Sequence, residues 1–152
     1  MIISILGTAG RDFKSKEKVS FFYDCSRLEK ESGDFCNSLD MLLQHYPVDE
    51  GYFIGTQVAI DFQKELLEFD EQRHHFIAVE DDSLDDIFEK ILELLQQEQK
   101  ETILDITHGF RHQPIMAIFA STLSQFLERK DLKIIYAKEK ERLKSYEYIY
   151  LN

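Results

Sequence analysis

Short runs rich in β-branched and aromatic residues alternate with segments of helical periodicity, and this alternation restricts the fold more than any other feature of the chain. The runs are IISIL (2–6), KVSFFYDC (18–25), GYFIGT (51–56), HHFIAVE (74–80), TILDIT (102–107), LKIIYAK (132–138) and YEYIYLN (146–152). Residues 39–46 read as a helix that Asn37 or Ser38 would cap and that stops before Pro47. Val58, Phe62, Leu66 and Phe69 stand at helical spacing. Leu84, Ile87, Phe88, Ile91, Leu92 and Leu95 follow the i, i+3, i+4, i+7 pattern, with Ser83 and Asp86 at the spacing of a capping box. A last helix starts at Pro114, a residue suited to the first helical position, and is apolar nearly all round. The stretch RLEKESGDFC (27–36) is polar and turn-like, and the charged residues after 138 suit a hairpin-type connection. Strands alternating with helices predict an α/β fold with a mostly parallel sheet of six or seven strands flanked by helices.

The totals bound the rest. A chain of 152 residues, 43% hydrophobic and 31% charged, suits one soluble domain with a sizeable core. No apolar run has the length needed to cross a bilayer, and MIISILG lacks the basic start and long apolar stretch of a secretory signal. The expected compartment is the cytoplasm. Cys25 and Cys36 have no C-x-x-C spacing and read as reduced structural thiols. A net charge of −11 argues against a protein that coats long DNA or RNA. It leaves room for a small anion in a locally positive pocket, because local field and net charge are separate quantities.

In an open α/β sheet, ligands bind beyond the carboxyl ends of the strands, near a topological switch point. Three strands end in small or hydroxylic turns: Gly7-Thr8-Ala9-Gly10-Arg11, Gly55-Thr56-Gln57 and Thr107-His108-Gly109-Phe110-Arg111. Glycine lets a backbone approach a ligand, free N–H groups attract anions, and arginine offers a fork suited to phosphate. Together they describe a rim for phosphate groups. Neither G-x-G-x-x-G, a P-loop nor a G-x-S-x-G elbow is present. Asp105 is expected to accept N–H bonds from its own loop, and Thr8 and Thr56 either satisfy loop backbone or meet a ligand. His74 and His75 point to opposite faces of a strand, and His45 and His112 add no ligand spacing, so no metal site is expected. The acids Asp81, Asp82, Asp85 and Asp86 suit the first turn of a helix.

DITHGFRHQPI (105–115) resembles the D-x-T-H-G motif of CRISPR-associated proteins with a CARF domain. ISILGTAG (3–10) and GYFIGTQ (51–57) are similar to strands of that family that end in Gly-Thr, and the order and spacing cover most of the chain. The resemblance implies a Rossmann-like single domain over residues 1–152. Members are often fused to an effector, and the lack of an effector motif here, not the resemblance, is what sets the expectation of no effector domain. The resemblance implies a homodimer whose cleft binds cyclic oligoadenylate, the messenger of type III CRISPR antiviral defence. Gly7, Thr8 and Arg11 of the first turn, and Thr107, His108, Gly109 and Arg111 of the motif, would reach the ligand. Ala9, Gly10, Thr56, Gln57 and Phe110 lie on the same turns. Phe13, Tyr23 or Phe110 would stack on adenines or fill the core. No cofactor is implied.

The expected activity is that of a metal-independent ring nuclease acting on cyclic tetra-adenylate. A ribose 2′-OH attacks the neighbouring phosphate and leaves a 2′,3′-cyclic end. Arg111 would stabilise charge, and His108 or Thr8 would position or deprotonate the hydroxyl. The alternative is a non-catalytic sensor domain that regulates an effector. An R-x4–6-H ribonuclease motif is not found, and Glu98-Gln99-Lys100, though spaced E-x-K, ends a surface helix. The helix of residues 114–129 is the candidate dimer face.

Overall fold

Central strands of a parallel sheet are covered on both sides, so they read as continuous apolar runs; edge strands need no such run. The structure, a computed structural model, describes residues 1–80, 84–97, 100–108, 122 and 131–152. Among these residues the strands are β1 (Ile2–Ile5), β2 (Phe21–Asp24), β3 (Gly33–Phe35), β4 (Gly51–Gly55), β5 (His74–Ala78), β6 (Thr102–Asp105), β7 (Leu132–Glu141) and β8 (Ser145–Tyr150). The helices are α1 (Ser38–His45), α2 (Gln57–Leu66) and α3 (Leu84–Gln97). The strands form one sheet in the order β3-β2-β8-β7-β6-β1-β4-β5. Pairing is parallel except between β2 and β3 and between β7 and β8.

The α/β class and the mostly parallel sheet are as expected. Among the described residues the sheet has eight strands rather than six or seven. The added strand, β3, lies in the segment read as turn-like. Of its three residues only Phe35 is buried, and backbone pairing with β2 (Phe21 to Phe35, Tyr23 to Gly33) holds it, so no apolar pattern announces it.

All four residues of β1 are buried and alternate between two cores. Ile3 and Ile5 join Ile54, Leu104 and Ile134 under Ile87, Ile91 and Leu95 of α3. Ile2 joins Phe53 and Ile135 under Leu39 and Leu42 of α1 and Ala59 and Ile60 of α2. The face of α3 is the expected one. That of α2 is met only in part: Leu66 is buried as expected and Phe69, beyond the helix, packs against the core, but Val58 is 71% exposed and the other buried positions are Ala59, Ile60 and Gln63. A polar side chain occupies the core face, for a reason that the site supplies. The β7–β8 hairpin forms as expected, but β7 runs on into the charged stretch, and Leu143 takes φ 58° in the turn. Asp81, Asp82, Ser83 and the side chain of Leu84, Glu98 and Gln99, and the expected helix from Pro114 through residue 129, save residue 122, lie outside the described residues.

Direction places the site. The chain builds outward from β1 to β4 and β5, then returns through α3 to β6 on the other side of β1. The switch point therefore lies between the carboxyl ends of β1 and β6. Strand β3 runs in the same sense as β1, so α1 begins at this edge too. Asp105 pairs with Ile135, and residues 136–141 of β7 continue past it as a wall of about 20 Å of strand.

Candidate functional site

Asp105, at the carboxyl end of β6, is 1% exposed. A buried carboxyl group is tolerable only where donors meet its oxygens. Oδ1 accepts the Thr107 backbone N–H at 3.0 Å and the Thr107 hydroxyl at 2.5 Å, which is the expected role within its own loop. Oδ2 accepts the Ser38 hydroxyl at 2.6 Å, and Ser4 makes a long contact at 3.5 Å. With its proton directed to Asp105, Ser38 Oγ receives the Tyr148 hydroxyl at 2.5 Å. Burial, and next the Asp105 charge, push the Tyr148 pKa well above its ordinary value. Thr107 Oγ1 in turn accepts the Ala137 N–H at 3.0 Å, tying the loop to the wall.

His108 is half-buried, and its Nε2 accepts the Ser38 backbone N–H at 3.2 Å. That amide is one of the orphan donors at the start of α1. Burial lowers the His108 pKa while Asp105 opposes the shift, so the ring is held in the neutral form that an acceptor requires. The Nε2 lone pair is thus committed to α1 and not free to take a proton from a substrate.

The β1 turn lies against this loop. A Cβ on Gly7 would stand 3.1 Å from the His108 carbonyl oxygen and 3.2 Å from its Cβ, so the glycine serves the contact between the two turns. Thr8 and Ala9 are exposed. Gly10 is buried with φ 129°, and a Cβ there would run into Leu66 and come within 2.9 Å of Asn37 Nδ2. The Gln63 side-chain amide donates to the carbonyls of Gly7 (2.8 Å) and Ala9 (3.1 Å); that of Asn37 donates to Ala9 (2.8 Å) and to Gln63 Oε1 (3.0 Å). This is why a glutamine faces the core of α2. Asn37 also caps α1, its Oδ1 accepting the Asp40 N–H at 2.8 Å.

Other expected site residues stand further apart. The Arg11 guanidinium donates to the Lys16 carbonyl at 3.0 Å inside its own loop, and Arg11 pairs with Lys18. Thr56 Oγ1 accepts the Ala59 N–H at 3.2 Å and caps α2, while the exposed Gln57 bonds Asp61 at 2.8 Å. Phe13 is 87% exposed, with the Lys16 ammonium 4.8 Å above its ring. Tyr23 is a core residue: it stacks on Tyr146 at 4.9 Å and is buried. Gly109, Phe110 and Arg111 lie outside the described residues, as do His112 and Gln113. The structure thus brings together Gly7–Gly10, Thr107 and His108, and leaves Arg11, Thr56 and Gln57 engaged locally.

Ser38, Gln63 and Tyr148 were missed as site residues; a glutamine three residues after Ile60 and three before Leu66 was the available signal. Cys25 and Cys36 are free and buried, and burial pushes their thiols up to about 11 and about 12. Among the described residues no three His, Cys, Asp or Glu side chains gather as a metal site, and no helix is long and apolar enough to cross a membrane.

The model of the family "CRISPR system endoribonuclease Csx1, CARF domain" matches residues 62–141, more than half of the chain, including all of β6 and the loop from Ile106 to His108. No curated protein matches the chain.

Proposed function

The chain belongs to the CARF-domain family of the CRISPR system endoribonuclease Csx1, and from that premise we propose that its switch-point turns bind cyclic oligoadenylate and report it to an effector. CARF domains sense this messenger in type III CRISPR responses. The observation that carries the reading is the contact of Gly7 with His108, which sets two family-type turns side by side at the switch point. Each phosphate of the ring carries one negative charge. Backbone N–H groups of the β1 turn and the Arg111 guanidinium supply matching donors. We assign the ligand as cyclic tetra-adenylate held between two copies of the chain, since a two-fold cleft suits a ring of matching symmetry. The setting is the cytoplasm.

Sensing is favoured over cutting by His108. Its Nε2 serves the α1 amide, so the imidazole is a strut between the loop and the helix rather than an idle base. A ring-nuclease reading keeps one support, the exposed Thr8 on the same turn. Attack by a 2′-OH needs mainly in-line positioning, which alone supplies ~7 kcal/mol or more, with Arg111 stabilising the phosphorane.

Protein in excess over labelled cyclic tetra-adenylate or cyclic hexa-adenylate, in EDTA, separates the two. The sensor reading expects the tetra-adenylate ring bound and intact for hours, with binding lost in Arg111→Ala. Linear products ending in cyclic phosphate, absent with Arg111→Ala and His108→Ala, would establish the nuclease instead. Failure to bind either ring would remove both.

A further inference from the structure

The β1 turn has almost no functional side chains of its own, yet its backbone is held in one orientation from outside. Both protons of the Gln63 amide go to turn carbonyls, Gly7 at 2.8 Å and Ala9 at 3.1 Å. The two protons of the Asn37 amide go to Ala9 at 2.8 Å and to Gln63 Oε1 at 3.0 Å. Turning either amide over would set oxygen against oxygen, so the network has a single arrangement. In a trans peptide the C=O and N–H point in opposite directions. Carbonyls of Gly7 and Ala9 aimed at α1 and α2 therefore turn the N–H groups of Thr8 and Gly10 away from those helices. Neither N–H meets an acceptor among the described residues. Gly10 makes the arrangement possible, because only glycine combines its φ of 129° with the close approach of Asn37.

We infer that Gln63 and Asn37 are positioning residues for an oxyanion: by fixing two carbonyls inward they present the Thr8 and Gly10 N–H groups as a donor pair for one phosphate of the ligand. The inference rests on the messenger reading for the identity of that phosphate. With the Gly7 and Ala9 carbonyls taken by the two amides, the peptides they belong to turn only donors outward, which suits an anion.

The test is a titration of the whole 15N-labelled chain with cyclic tetra-adenylate and, separately, with inorganic pyrophosphate, following the Thr8 and Gly10 amides. In the wild type both resonances move downfield as messenger binds. Gln63→Met removes both donors and weakens binding by about tenfold or more, with the two shifts lost. Asn37→Ser retains a capping hydroxyl for α1 while losing the donor to Ala9, so it keeps the fold and still weakens binding. Messenger that binds while both amides stay still overturns the inference, as does a folded Gln63→Met that binds equally with the same shifts. Pyrophosphate moving both amides where the messenger does not bind would support the donor pair and remove the messenger reading. If neither ligand moves them, the donor pair is wrong. The wild-type titration decides the matter even where a variant does not fold.

Discussion

The loop after β6 and the turn after β1 border the same site and are built in opposite ways. The β6 loop carries its own chemistry: Asp105 binds Thr107, and His108 reaches out to α1. The β1 turn carries glycines and small side chains, and its shape comes from Asn37 and Gln63 on two helices. The first is a side-chain device and the second a backbone device. The difference predicts different failures. Damage to the Asp105 hub of the β6 loop is felt in stability first, and damage to the clamp on the β1 turn in ligand affinity.

The largest effect is expected from Asp105→Ala. It strips acceptors from Ser38 and both Thr107 donors, and costs roughly 3 kcal/mol or more in urea unfolding. A loss below about 1 kcal/mol would mean that the hub is not structural. Next comes Gly10→Ala. The left-handed φ and the contacts with Leu66 and Asn37 cost about 1–3 kcal/mol, and cyclic tetra-adenylate binding falls with them. Normal affinity in this variant would break the comparison. Tyr148→Phe removes one hydrogen bond at the far end of the relay and costs about 1 kcal/mol, with affinity unchanged.

The smallest effect concerns pH. Burial lowers the His108 pKa below the ordinary value of about 6.5, so the unfolded chain binds the proton more readily. The stabilisation is complete above about pH 6.5 and is lost as pH falls from there toward the lowered value. His108→Gln keeps an acceptor near the Nε2 position and removes the titration, so its melting temperature should fall less steeply between about pH 6.5 and 5. His74, lowered by burial, contributes in the same direction and leaves a residual slope in both proteins. Parallel curves would show that His108 does not titrate there.

The same contrast governs what was legible in the sequence. Asp105 with Thr107 two residues on is a local arrangement, so its part in the loop could be read directly. Its link to Ser38 spans 67 residues and that of Ser38 to Tyr148 spans 110, and no spacing rule reaches so far. Strands and α3 were readable because apolar period tracks burial. The face of α2 was not, because the pattern treats Gln63 as an outward residue, whereas the carbonyls of Gly7 and Ala9 hold it inside. Strand β3 escaped because pairing alone makes it. In the sequence the glycines of the rim suggest room for a ligand. Gly7 makes room for His108, and Gly10 for Asn37 and Leu66.

The most direct test of messenger sensing is native mass spectrometry of the full chain with cyclic tetra-adenylate, paired with calorimetry. The account predicts one intact ring per two chains, with affinity lost in Arg111→Ala. A chain that stays monomeric and binds no ring at micromolar protein would contradict it.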